Sequence, residues 1–177
     1  MNLREMIETA LFLAVGYVLH AVVPPILLGM KPDLLLAVLF LVILRRPSFR
    51  NALLAGAVAG IITALTTSFP GGQVANIVDK LVTSMVVCAL VRMSTRLDRR
   101  VVAAGVALVG TIISGAVFLG TALILVGLPG PFAALFTTIV LPTAVLNAAT
   151  VLLLHQLLTA VERRLRPASS PATGSGR

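Results

Sequence analysis

Apolar residues run along the chain in long blocks, and polar residues are confined to the short stretches between them. A helix crossing a bilayer core of about 30 Å needs roughly 20 apolar residues. Six segments are candidates: 3–23, 33–44, 51–68, 76–93, 101–128 and 131–161. Breakers mark their limits. Pro24-Pro25 ends the first, Arg45-Arg46-Pro47 the second and Pro70-Gly71-Gly72 the third. Pro142 is expected to kink or break the last, because proline removes one helical hydrogen bond. The pattern predicts an all-α fold, an integral membrane bundle of six transmembrane helices over residues 1–166. Residues 167–177, rich in Pro, Ser, Gly and Ala, read as a disordered cytoplasmic tail. The first block lacks a small-residue cleavage site and others follow it, so it is not expected to be a cleaved leader.

Composition agrees. The chain is 58% hydrophobic and 11% charged, with a mean hydropathy of +1.07. Soluble domains carry about 25% charged residues, so lipid must be the solvent for much of this surface.

Charge placement orients the bundle. Arg45, Arg46 and Arg50 lie between the second and third segments, and Arg92, Arg96, Arg99 and Arg100 between the fourth and fifth. Arg163, Arg164, Arg166 and Arg177 follow the sixth against Glu162, Asp98 stands among the arginines of the preceding loop, and Arg4 stands with Glu5 and Glu8 near the N-terminus. Lys31, Asp33, Asp79 and Lys80 on the other side cancel, which leaves the whole net charge of +8 on one face. Basic residues collect in cytoplasmic loops, so both termini are expected in the cytoplasm. The basic charge therefore reports topology and implies no nucleic-acid partner.

Two segments on the outer side stand apart, 24–33 and 68–80. From Asp33 to Arg45 the second helix is only about 18 Å long at 1.5 Å per residue, and from Asp79 to Arg92 the fourth covers roughly 20 Å. Both are expected to begin below the membrane surface, fed by loops that dip into a cavity. Ionisable groups at that depth are candidates for function. Each helix places an Asp near its start with a Lys close by, where the helix dipole favours an anion. A zwitterion such as an amino acid needs one partner of each sign: Lys31 or Lys80 for its carboxylate, Asp33 or Asp79 for its ammonium. Phe69 is placed to stack on an aromatic ligand, Gln73 and Asn76 to hydrogen-bond its edges, and Gly71 and Gly72 to shape the loop. The plainer alternative stays open, in which the same charges are helix caps and structural ion pairs.

Ala10 and Ala14 on the first helix, and Gly56 and Gly60 on the third, are spaced for close helix approach. Asn147 reads as an interhelical hydrogen bond, and His155 as packed or interfacial. The glycines at 105, 110, 115 and 120 recur at a step that keeps no single helical face, and no site is assigned to them. One cysteine and two distant histidines support no disulfide framework and no metal site. No phosphate loop or catalytic constellation is present, so neither an enzyme nor a cofactor is expected, and any uphill transport must draw on an ion gradient or a partner.

Met30-Lys31-Pro32-Asp33-Leu34, Thr66-Thr67-Ser68-Phe69-Pro70-Gly71-Gly72-Gln73 and Asn76-Ile77-Val78-Asp79-Lys80 together resemble the bacterial tryptophan transporter family. That family is akin to the substrate-binding S components of energy-coupling-factor (ECF) transporters. The likeness covers about residues 3–92, and the second half matches in hydropathy alone. It implies a six-helix S-component-like fold and tryptophan as ligand, in a pocket drawing on Phe69, Phe118, Phe132 or Phe136. It also implies a docking face at Ala10 and Ala14 for an ECF coupling subunit with its ATPases. A rival resemblance, over residues 32–67, is to the rod-shape-determining protein D family, a membrane scaffold for cell-wall synthesis. The 69–80 segment, which a scaffold does not need, separates the two.

Overall fold

The computed structural model describes residues 3–22 and 33–165. Lys31 and the tail from residue 167 lie outside the described residues. Every regular element described is helical: α1 (Leu3–Val22), α2 (Leu34–Arg45), α3 (Phe49–Leu65), α4 (Gly72–Met93), α5 (Arg99–Leu125), a short α6 (Phe132–Leu135), a π-helical turn (Phe136–Val140) and α7 (Leu141–Leu165). Helices α1, α4, α5 and the continuous stretch Phe132–Arg164 are long and apolar enough to cross a membrane, while α2 and α3 are shorter.

The distribution of side chains inverts that of a soluble protein. Leu11, Val15, Leu53, Ile61, Ile124 and Leu153 are exposed, whereas Asn51, Asn76, Asp79, Lys80, Thr83 and Asn147 are buried. Apolar side chains outside and paired polar ones inside suit a lipid solvent.

At the centre lies α2, where every residue from Leu34 to Ile43 is buried. A helix that is apolar all round belongs in a core. Its ten buried residues pack against α1, α3, α4, α5 and α7. Small residues let α3 close on α4. A Cβ on Gly56 would lie 2.8 Å from the Lys80 carbonyl oxygen, and one on Gly60 would lie 3.1 Å from Ile77 Cα. The close approach expected of Gly56 and Gly60 is thus an intramolecular α3–α4 contact.

The boundaries shift by up to four residues from expectation, and two places bear on the site. Helix α4 begins at Gly72, not at Asn76. Phe69-Pro70-Gly71-Gly72 closes a turn through Gly72 N–H donating to the Phe69 carbonyl at 3.0 Å. Gly71, at φ 70° and ψ 8°, has the left-handed conformation that a type II turn demands of its third residue. The helix can therefore start directly after the turn. Asp79 consequently lies about two turns inside α4, beyond the reach of the N-terminal dipole. At Pro142, where a kink or break was expected, the helix continues from an irregular turn. The preceding turn widens, with Leu141 N–H donating to the Phe136 carbonyl, which accommodates the clash and the missing donor that proline brings. The Thr137 and Thr138 hydroxyls donate to the Ala133 and Ala134 carbonyls in the same stretch.

At one end of the bundle, the arginine end, a charge network ties three helices. Arg45 pairs with Glu8 of α1 and Glu162 of α7, and Arg46 pairs with Glu5 and Glu8. Arg92 donates to the Pro47 carbonyl. Next to the network, buried Thr9 donates to Asn51, which in turn donates to the Arg46 carbonyl.

Candidate functional site

At the opposite end, a cavity of about 390 Å³ opens among α2, α4, α5 and the stretch around the π turn. Its size falls within the range of small-molecule pockets, about 300–1,000 Å³. Asp33 stands at the mouth of α2 and caps it, its Oδ1 accepting from Leu36 N–H at 2.9 Å. Asn76, Asp79 and Lys80 come from α4 at spacings that put them on one helical face. Lys80 Nζ lies 2.6 Å from Asp79 Oδ2 and 3.3 Å from Asp33 Oδ2. Thr83 donates to Asp79 Oδ1 at 3.0 Å, and Asn76 donates to the Gly72 carbonyl. His20 Nδ1 is 3.8 Å from Asp33 Oδ1. Both ends of the Asp79–Lys80 pair are almost inaccessible, at 2% and 3% exposure. A buried ion pair is weak evidence of stabilisation in itself, and in a membrane protein such groups mark pathways and sites.

The facing wall is aromatic and aliphatic. Phe69, from the turn before α4, meets Phe118 of α5 edge to face, with ring centroids 5.5 Å apart. Leu36, Leu119, Ile139 and Val140 continue the apolar lining. Phe69 and Pro129 also border a second recess of about 480 Å³ formed with Ser68, Pro70 and residues 126–128, so Phe69 stands between the two spaces.

The structure thus brings together Asp33, Phe69, Asn76, Asp79 and Lys80 from the sequence-based candidates. Gly71 and Gly72 form the turn below Phe69 without lining the cavity, and Gln73 is exposed on the first turn of α4. Lys31 lies outside the described residues. Phe132 and Phe136 stack on each other, centroids 5.8 Å apart, and are absent from the lining. Ala10 and Ala14 are exposed along α1. Asp33 is both a helix cap and an ion-pair partner, and it also lines the cavity.

Of the α5 wall, sequence reasoning named only Phe118, through the family resemblance. Thr111, Ser114, Gly115, Phe118 and Leu119 all line the cavity. Their spacing marks one helical face, and two hydroxyls on it in an otherwise apolar helix were the available signal. Gly115 was read only as part of a glycine series. In the structure a Cβ there would lie 2.4 Å from Val140 Cγ1, whereas Gly105 and Gly120 face open space. Asn147, as expected, bonds across helices, donating to Thr111 at 3.3 Å.

Known proteins place this chain in a family. The family model described as Tryptophan transporter TrpP matches residues 2–166. The chain belongs to that family. The TrpP match runs through the second half of the chain, so the likeness extends well beyond residues 3–92. A "Probable tryptophan transport protein" of Bacillus subtilis (strain 168) is 45% identical over 93% of this chain and 95% of its own. One of the same description from Clostridium acetobutylicum is 50% identical, covering 84% of this chain and 87% of the relative. A third, from Clostridium perfringens, is 40% identical over 95% of this chain and 96% of its own length. No solved structure matches. With its membrane-length apolar helices, this TrpP family member is a multi-pass bacterial membrane protein. Membership also favours transport over the scaffold resemblance.

Proposed function

We propose that this protein imports tryptophan from the outer face of the cell membrane and holds it in the cavity bounded by Asp33, Asp79, Lys80, Phe69 and Phe118. The observation that carries the reading is one of juxtaposition. Charges of both signs, almost fully buried, share a cavity with an edge-to-face aromatic pair. The ammonium of an amino acid suits the carboxylates and its carboxylate suits Lys80, while an indole fits between Phe69, Phe118 and the aliphatic lining. Asn76 stands beside the head group, with Gly71, Gly72 and Gln73 shaping the turn that carries Phe69.

The topology belongs to the same proposal: six spans in an S-component-like arrangement, with both termini in the cytoplasm. The arginine end gathers the N-terminal acids, Arg45, Arg46 and Glu162 on one side, as cytoplasmic basic loops would require. The cavity then faces outward. Ala10 and Ala14 lie exposed on α1, a face with room for a coupling subunit carrying ATPases, which would supply the energy. No catalytic role is proposed.

The test is equilibrium binding to the detergent-purified protein, with tryptophan, the other protein amino acids and common vitamins as ligands. Tryptophan binding that is lost in Asp79→Ala and Lys80→Ala is the expected result. Selective binding of a different compound would overturn the ligand, and binding unaffected by either substitution would overturn the site.

A further inference from the structure

We infer that Thr111, positioned by Asn147, accepts the indole N–H of the ligand and so selects tryptophan from other aromatic amino acids. This rests on the reading of the cavity as the amino-acid site. The chemistry begins with an asymmetry among the threonines. Thr63, Thr66, Thr137, Thr138, Thr150 and Thr159 each donate to a carbonyl on their own helix, the ordinary resting place for a helical hydroxyl. Thr9 and Thr83 donate to side chains instead. Among the described helical residues Thr111, Thr121 and Thr143 donate to neither, and of these three only Thr111 is buried, at 4% exposed. Its Oγ1 accepts from Asn147 Nδ2, and a hydroxyl oxygen has a second lone pair to offer.

The position is right for a side-chain contact. Thr111 lines the cavity one helical turn nearer the arginine end than Ser114 and two turns nearer than Phe118. Ser114 lies beside Asp79, so Thr111 is about one turn deeper than that carboxylate. Asn147 is fully buried, and its Oδ1 meets no hydrogen-bond partner among the described residues. A half-satisfied amide is costly inside a bundle, and an apolar residue would pack α7 on α5 without that cost. Its presence is accounted for by the orientation it imposes on Thr111. Indole N–H is a donor only, and a site built to accept it rejects an analogue that leaves the buried acceptor unpaired.

The decisive comparison is tryptophan against 3-benzothienylalanine, in which sulfur replaces the indole N–H at nearly unchanged shape. Affinities are measured by isothermal titration on the purified full chain, for the natural protein and for Thr111→Val, Thr111→Ser, Asn147→Leu and Thr121→Val, each checked for folding by its thermal transition. The natural protein is expected to prefer tryptophan by about ten- to a hundredfold. Thr111→Val should lose that preference through weaker tryptophan binding alone, Thr111→Ser should keep it, and Asn147→Leu should reduce it. Thr121→Val, on the same helix but off the cavity lining, should leave it intact. Equal affinity of the natural protein for both ligands would overturn the inference while leaving tryptophan import standing. Retention of the preference in Thr111→Val would overturn it too. Failure of the natural protein to bind tryptophan would overturn the proposed function, and the inference with it.

Discussion

Lys80 of α4 reaches across the bundle to Asp33 at the start of α2, Nζ to Oδ2 at 3.3 Å, while remaining 3% exposed. This contact joins the central helix to the cavity wall, because Asp33 also caps α2 through Leu36 N–H. Lys80→Met should therefore affect structure and binding together. It removes the cation from between two carboxylates, and breaking a buried pair from one side costs about 3–5 kcal/mol. The expected outcome is a clearly lowered thermal transition and no measurable tryptophan binding. Retention of both would mean that the ion cluster neither organises the cavity nor contacts the ligand.

Gly115 gives a test of cavity shape. A Cβ at this position would lie 2.4 Å from Val140 Cγ1 and 3.0 Å from Val140 Cβ. Gly115→Ala should push the π turn away from α5, cost about 1–3 kcal/mol and weaken tryptophan binding. Gly120→Ala faces open space and should be neutral or stabilising by up to about 1 kcal/mol, since glycine is a poor helix former. Equal behaviour of the two variants in thermal and binding measurements would contradict this packing.

Gly56 tests the α3–α4 contact from behind the site. A Cβ there meets the Lys80 carbonyl at 2.8 Å, and a helical backbone cannot step aside as a side chain can. Gly56→Ala should cost about 1–3 kcal/mol and weaken tryptophan binding, because displacing α4 moves Lys80 from Asp33. Gly60→Ala, at 3.1 Å from Ile77 Cα, should be the milder of the two. Differential scanning fluorimetry beside a binding isotherm separates them, and the reverse order would rule out the proposed linkage.

The arginine-end network should behave as an exposed one. Glu8 pairs with Arg45 and Arg46 at side-chain exposures of about a third, so solvent screens it. Glu8→Gln is expected to cost no more than about 1 kcal/mol, with the difference from the natural protein shrinking as salt is raised. A salt-independent loss of several kcal/mol would show that the network is buried by something else.

The exposed face of α1 bears on the energy source. Ala10→Leu with Ala14→Leu adds bulk where the described chain makes no internal demand, since both positions are exposed. Tryptophan affinity of the purified protein should be unchanged, while uptake of labelled tryptophan by cells falls sharply if a coupling subunit docks there. Undiminished uptake would remove that face from the proposal.

How much of this was readable from residues alone varies with the distance over which each feature is decided. The apolar blocks and their Pro and Gly breaks located the helices to within a few residues, because membrane length and backbone chemistry are local constraints. The start of α4 was misplaced because a type II turn at Pro70-Gly71 lets a helix begin on polar residues that look like loop. Asp33, Asp79 and Lys80 stood out because charges are rare in an apolar chain. The α5 wall did not, since Thr111, Ser114 and Gly115 are individually unremarkable in a membrane helix.

By itself the sequence determined the solvent, the helical class, the sidedness of charge and the identity of the buried ions, all of which follow from composition and short-range pattern. Only the tertiary structure decided that α2 is the central helix, that Lys80 bridges Asp79 to Asp33, that Phe69 meets Phe118, and that Asn147 holds Thr111. Each of those depends on which helix faces which, and that is set by the packing of small residues such as Gly56 and Gly115 against partners distant in the chain. Spacing along one helix specifies a face; it takes the assembled bundle to specify what that face meets.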